Sequence, residues 1–471
     1  MSLTKKQLIG LVVGAVFTTP VFSSGYHFGT QSVSSQSTAN ASSAEAADAA
    51  TIFYNPAGLS KLSGSNFSVN ANFVAPKVKY SQAKANYFIG QPKGITGKQG
   101  GTITKDVVVA PHLYASHQLN DQLTLGLGVY IPFASGTDYQ RDSVLRYNVN
   151  KMKLTSIDIN PMLSYKINAD HSVAAGLFGQ YSSAELRQYA NFAPLVAKVL
   201  SKKQGKPVAV PNGFADGVAD VEGTDWGFGF NLGYLWDVND RVRLGASYRS
   251  KVEHTLKGNA KWQSENPTVN AIVPAVGYVP KESANVKIIT PESLSLHGMV
   301  KLNDRWTTFG DVTWTRHSRF NNLDINYGNP KVVLPVADGK KLSATTSLKP
   351  NWRDTYKVGI GAAYQYSDPL QLRFGIAYDQ SPVRSADYRL TTLPDNNRIW
   401  FSLGAKYDIN ENSSLNFGYS YIHIKDTKAN VNGWCGSLNR LAKSCVSSRT
   451  DGSADYKSHA HIVGIQYNYR F

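Results

Sequence analysis

Six short Asn/Asp clusters fall at every second connection between strand-like segments, and this alternation constrains the chain more than any other feature. They lie at Asn120-Asp121, Asn168-Asp170, Asn239-Asp240, Asn303-Asp304, Asp368-Pro369 and Asn410-Asn412. Asn and Asp side chains bond their own backbone two residues on and so favour tight turns. Between successive turns stand longer polar stretches, at about 81–105, 133–143, 188–220, 258–283, 328–352, 380–396 and 428–456. Six tight turns and seven long loops delimit 14 strands. The segments themselves alternate with period 2. Phe67, Val69, Ala71 and Phe73 share one face, as do Leu123, Leu125, Leu127, Val129 and Ile131. So do Trp226, Phe228, Phe230, Leu232, Tyr234 and Trp236, and at the end His461, Val463, Ile465, Tyr467, Tyr469 and Phe471. The opposite faces are Gly, Asn, Ser and Thr. Apolar outside, small and polar inside, with connections of unequal length at the two ends, is the signature of an all-β, 14-stranded antiparallel transmembrane barrel. Closure also satisfies every backbone group in lipid and leaves no free edge.

The start of the chain carries a leader pattern. Lys5 and Lys6 precede an apolar run from Leu8 to Phe17, and Val21-Phe22-Ser23 offers a cut site. That predicts a signal peptide over 1–23 and a location in the bacterial outer membrane. A mean hydropathy of -0.29 excludes a polytopic helical membrane protein. The net charge is +16, and losing the two leader lysines leaves 16 − 2 = +14. An exported chain with scattered Lys and Arg is not expected to bind nucleic acid. The positive charge suits an anionic head group or anionic lipopolysaccharide equally. Residues 24–65 do not fit the strand pattern. The stretch from Ser32 to Ala50 is rich in Ser and Ala, and on composition it reads either as a leader outside the barrel or as a small plug within it.

The residues that identify a family lie in order along the mature chain. They are Asn55-Pro56-Ala57 after Asp48 and Ala49; Trp226-Gly227-Phe228-Gly229 with Tyr248-Arg249-Ser250; and Ser381-Pro382-Val383 with Leu393-Pro394-Asp395, Arg398, Trp400 and Ser402. The chain closes on Tyr469-Arg470-Phe471, an aromatic end of the kind outer-membrane barrels present for assembly. In these motifs it resembles the FadL family of outer-membrane transporters for long-chain fatty acids and other hydrophobic compounds. The resemblance implies that 24–65 form a hatch in the lumen and 66–471 the barrel. It also implies a route of capture on an outer groove, transfer to a lumen pocket, hatch rearrangement and sideways exit. A monomer is expected.

Individual roles follow from the resemblance. Pro132, Phe133 and Gly136 fall where the family has a kinked strand that opens the wall; proline cannot donate to a ladder and glycine permits irregular backbone. Arg187 aligns with a carboxylate contact in the pocket, and Glu185 shares its face, so an Arg–Glu ion pair is the competing reading. A second basic pocket residue is expected near Asn321 to Ile325, where Asp324 stands instead; Lys331, Lys340 or Lys341 are the substitutes. Tyr26 and Phe28 match the aromatic tip that reaches the ligand pocket. Phe192, Leu195 and Val199 recur at helical spacing and predict a loop helix that either exposes a capture surface or packs on its neighbours. Asn55, Pro56 and Ala57 are expected to pin the hatch. Cys435 and Cys445 lie in one loop in an oxidising compartment and are expected to pair.

No catalytic elbow or zincin helix is present, and His459 with His461 lacks a third ligand at metal spacing. The chain is therefore not expected to be an enzyme or to need a cofactor or metal. The competing functions are uptake of neutral aromatic or alkane hydrocarbons, a polar porin that conducts ions, and an adhesin.

Overall fold

A computed structural model describes residues 27–87, 94–211, 213–332, 342–435 and 444–471. The leader assigned to 1–23 lies outside them. The barrel strands are β1 (Ser65–Tyr87), β2 (Val108–Gln118), β3 (Leu123–Asp138), β4 (Lys151–Lys166), β5 (His171–Asn191) and β6 (Asp216–Asp237). Four strands follow in two pieces: β7 (Val242–Arg249, Val252–Ser264), β8 (Glu282–Thr290, Ser293–Lys301), β9 (Trp306–Thr315, Leu323–Val332) and β10 (Leu342–Lys349, Thr355–Ser367). The last are β11 (Leu370–Asp379), β12 (Arg398–Asn410), β13 (Ser413–Val431) and β14 (Thr450–Arg470). Each strand pairs antiparallel with its neighbours, and β14 closes on β1 from Asn66–Arg470 to Tyr87–Thr450. The result is the closed 14-stranded barrel expected from the turns.

All six predicted turns join strands, and most share one mechanism. The Oδ1 atoms of Asn120, Asn168, Asn239 and Asn303 each accept from the amides two and three residues on, at 2.9 Å. Asn410 bonds the amide of Asn412 in the same way. One side chain thus satisfies two donors and sets the hairpin register.

Outward positions are apolar and exposed, with Phe228 79% and Leu177 70% accessible, which only lipid can cover. Inward positions are small and polar because the N-terminal segment fills the lower lumen. From Gln31 to Ala50 nearly every residue is buried. Helix α1 (Val33–Gln36) lies against β12, β13 and β14, and its first amides, Val33 and Ser34, donate to Gln466 of β14 at 2.8 and 3.1 Å. Any Cβ at Gly404 would strike Ser37, and one at Gly375 would strike Thr38. The Ser/Ala composition that read as a leader is what lets a chain lie this close to a glycine-lined wall. Helix α2 (Thr51–Tyr54) and a 3-10 turn (Pro56–Lys61) then meet β3 to β6.

Candidate functional site

Three cavities lie along the barrel axis. The outer one, about 1140 Å³, is built from the long-loop ends of the strands; Phe192, Leu195, Trp262, Tyr278, Tyr327 and Lys331 line it. The middle one, about 640 Å³, is bounded almost wholly by apolar inward side chains of β4 to β10, among them Leu154, Leu186, Leu256, Ile288, Ile325 and Leu348. Val383, Leu390 and Leu393 belong to the same buried cluster. The inner one, about 900 Å³, lies against the N-terminal segment and is polar, with His27, Asn40, Arg249, Asp311, Lys357 and Asp379 on its walls. Phe320, Trp352 and His317 stand between the middle and inner cavities; the Phe320 and Trp352 rings are 4.6 Å apart. His317 is fully buried in the connection between the two pieces of β9, its Nδ1 2.8 Å from Thr355 Oγ1.

The kink falls where Pro132 predicted it. Between Tyr130 and Phe133 the pairing of β3 with β4 slips by inserted residues, and beyond Val129 strand β3 no longer pairs with β2. In the ladder the upper part of β2, Val108 to His112, pairs with β1, and across the gap His112 Nδ1 accepts from Ile131 N of β3 at 3.4 Å. A gap in the wall ladder results, and the N-terminal segment fills it from inside. Phe28 N donates to Pro132 O at 2.8 Å, His27 bridges to Phe133, and Gln31 Nε2 donates to Ile131 O at 2.7 Å. Gly136 is not part of this irregularity; it sits in regular register opposite Lys153.

Other predicted residues are more dispersed. Arg187 faces the outside of the barrel, bonded to Asp138, Asn150 and the Tyr139 carbonyl, and lines none of the three cavities. Glu185 pairs with Lys151 and Lys153, not with Arg187. The alternation already carried this: Leu177, Gly179 and Tyr181 share the parity of Arg187, and that face meets lipid. Phe28 is buried and stacks on His112 with ring centroids 5.8 Å apart, away from the cavities; Tyr26 lies outside the described residues. Phe192 and Leu195 begin helix α3 (Ala193–Gln204) and are buried against α4 (Pro267–Ile272), so the packed form of the loop helix holds; Val199 lies further along and does not line the outer cavity. Lys331 does reach that cavity, held by Glu282 at 2.6 Å beneath the Trp262, Tyr278 and Tyr327 rings. Asp324 bonds Asn322 and Ser347. Lys340 and Lys341 lie outside the described residues. Cys435 and Cys445 are joined, Cα atoms 5.4 Å apart.

Asn55 ties the N-terminal segment to the wall. Its Oδ1 accepts from Ala57 N at 3.1 Å, and its Nδ2 reaches Tyr234 O at 2.9 Å and His297 Nε2 at 2.8 Å. The chain of bonds continues through Ser295 to Asp311, which also accepts from Ser43 at 2.8 Å. Pro56 starts the 3-10 turn and Ala57 packs on Ala174 and Leu235. The late motif is a clasp: Arg398 is ion-paired to Asp395, and Ser381 bonds that same carboxylate at 2.7 Å.

Lys357 is the residue that the motifs did not single out. It lies on the inward face of β10, since Tyr356, Val358 and Ile360 face out. Its Nζ stands 4.5 Å from the Trp400 ring and points toward Gly29. Among the described residues no carboxylate lies within ion-pair distance of it.

The whole chain has counterparts of known family. Residues 14–471 match the family described as outer membrane protein transport protein (OMPP1/FadL/TodX). A provisionally assigned outer membrane protein of Neisseria meningitidis serogroup B is 51% identical over 98% of both chains. The long-chain fatty acid transport protein of Escherichia coli O6:H1 is 27% identical over 100% of this chain and 99% of its own. The crystal structure of a Pseudomonas aeruginosa FadL homologue superposes with a TM-score of 0.79, at 21% identity, over 95% of this chain and 100% of that one.

Proposed function

This chain belongs to the outer membrane protein transport family (OMPP1/FadL/TodX), whose members are transporters of hydrophobic compounds in the bacterial outer membrane, and on that premise we propose that it carries long-chain fatty acids, acting as a monomer. Lys357 carries the reading: a buried lumen ammonium without a carboxylate partner, next to an apolar cavity. An acyl chain in the middle cavity gains about 0.8 kcal/mol per buried CH₂. Its carboxylate pairs with Lys357 below, where low dielectric strengthens the bond. The aromatic outer cavity serves capture. Residues 24–65 act as a hatch, and their rearrangement frees the gap between β2 and β3 for sideways exit into lipid. Strain in the hatch supports movement: Ala39, Asn40 and Ala46 hold positive φ, which costs a residue with a Cβ about 1–2 kcal/mol.

Uptake of labelled oleate by cells lacking their own transporter tests this. Expression of the chain restores uptake, and Lys357→Met lowers it at least tenfold while the barrel stays heat-modifiable. Restored uptake that ignores Lys357→Met removes the carboxylate site. One observation favours neutral hydrocarbons: Lys357 lines the inner cavity rather than the middle one, and among the described residues lining the middle cavity the one cation, Lys153, is neutralised by Glu185. Alkane or monoaromatic uptake without oleate uptake would establish that reading instead.

A further inference from the structure

On the outer surface of β13, β14 and β1 the apolar band ends abruptly in a basic cluster. Phe417, Val463 and Phe73 are exposed to lipid on these strands. Above them on the same face stand His423 and Lys425 on β13, His461, His459 and Lys457 on β14, and Lys77 and Lys79 on β1. The pairing register packs like charges together. Lys79 lies directly opposite Lys457, Lys77 opposite His459, and His459 opposite His423. Like charges in directly opposed positions destabilise a sheet. Among the described residues, the carboxylates in ion pairs at this cluster are Asp426, 3.7 Å from Lys457, and Asp455, 3.6 Å from Lys428. Among the described residues none pairs with Lys77, Lys79 or Lys425. On the outer face of β4 to β7, Lys151, Lys153 and Lys261 each meet Glu185 or Glu222, whereas among the described residues Lys457 alone of the lysines in the basic cluster has such a partner, Asp426.

We propose that this cluster binds the phosphate groups of a multiply acylated, phosphorylated glycolipid of the outer leaflet. Charge complementarity and position favour that occupant. Lys77 and Lys79 sit four and six residues above the exposed Phe73, and Lys457 six above Val463, roughly 13–20 Å along the strands, so a lipid whose phosphates meet these lysines lays its acyl chains down toward those side chains. Ammonium-phosphate pairs are charge-assisted and strong. A bound phosphate also relieves the Lys79–Lys457 and Lys77–His459 repulsion that the register imposes. Tyr419 Oη, 2.8 Å from His461 Nδ1, holds one imidazole edge toward the site.

The test is titration of the detergent-purified protein with bis-phosphorylated hexa-acyl lipid A, read by native mass spectrometry. Each of Lys77→Gln, Lys79→Gln and Lys457→Gln weakens binding roughly fivefold, and the triple variant roughly a hundredfold, from about 1 kcal/mol for each surface cation. Lys202→Gln with Lys203→Gln, on the loop helix, leaves binding unchanged. Fully dephosphorylated lipid binds at the level of the triple variant. The heat-shifted gel band confirms folding, and Lys79→Gln alone serves where the triple variant fails it. Equal binding by parent and folded triple variant, or by phosphorylated and dephosphorylated lipid, overturns the proposal. Displacement of the lipid by excess inorganic phosphate overturns it as well, because the cluster would then read free phosphate.

Discussion

Replacing Asn55 by Ala isolates the attachment of the N-terminal segment to the barrel wall. The side chain is fully buried and makes hydrogen bonds to Ala57 N, Tyr234 O and His297 Nε2. Each such bond contributes about 1 kcal/mol net, and a buried partner left unpaired costs at least as much. Two of the three, to Tyr234 O and His297 Nε2, join the segment to the wall; losing them weakens its docking by about 2 kcal/mol, or roughly thirtyfold in the undocked population. Gly233 and Gly245, whose missing side chains make room for Asn55, leave nothing to refill the space. Hydrogen exchange by mass spectrometry reads the effect directly. The amides of Asn55 and Gly58, bonded to Thr51 O and Asn55 O at 2.8 and 2.9 Å, exchange roughly thirtyfold faster in the variant. Barrel amides on β13 and β14 do not change. Planar-bilayer recordings then show ion conductance that the parent lacks. Unaltered exchange at both amides, in a correctly folded barrel, would refute the idea that this side chain holds the segment in place.

Arg187→Ala leaves oleate affinity within about twofold and lowers barrel stability by about 1 kcal/mol, the scale of a half-exposed ion pair; isothermal titration and thermal melts separate the two. Cys435→Ser with Cys445→Ser removes a loop constraint of roughly 2–3 kcal/mol in the chain-entropy account. Proteases then nick that loop and the melting temperature falls, and an unchanged digestion pattern contradicts this.

The barrel was readable because its two signals are local. Period-2 alternation needs only neighbours in sequence, and an Asn side chain closes its own turn. The N-terminal segment is harder: small residues such as Ser37, Ala39 and Ala41 stand against glycines on β10, β11 and β12, hundreds of residues away. Site residues failed or succeeded by parity. Pro132 marks a kink in any register, whereas Arg187 and Lys357 are told apart only by asking which face of their strand carries the apolar series. That question places Arg187 outside and Lys357 within. The Phe192–Leu195 helix shows a different limit, since helical spacing says that one face is apolar but not that α4 lies ready to cover it.

The four two-piece strands have a mechanical consequence. Breaks at Ser250-Lys251, Pro291-Glu292, between Thr315 and Leu323, and between Lys349 and Thr355 fall side by side on β7 to β10. Above them the outer pieces pair with one another, and below them the inner pieces do the same. This quadrant of the wall is creased horizontally, like a sleeve with a cuff. A bend along this crease would break no ladder bond among β7 to β10, and it would change the cross-section above the crease while leaving the rim of Asn turns in place. The middle cavity is lined from the cuff and the inner cavity from the sleeve, with Trp352 in the fold between them.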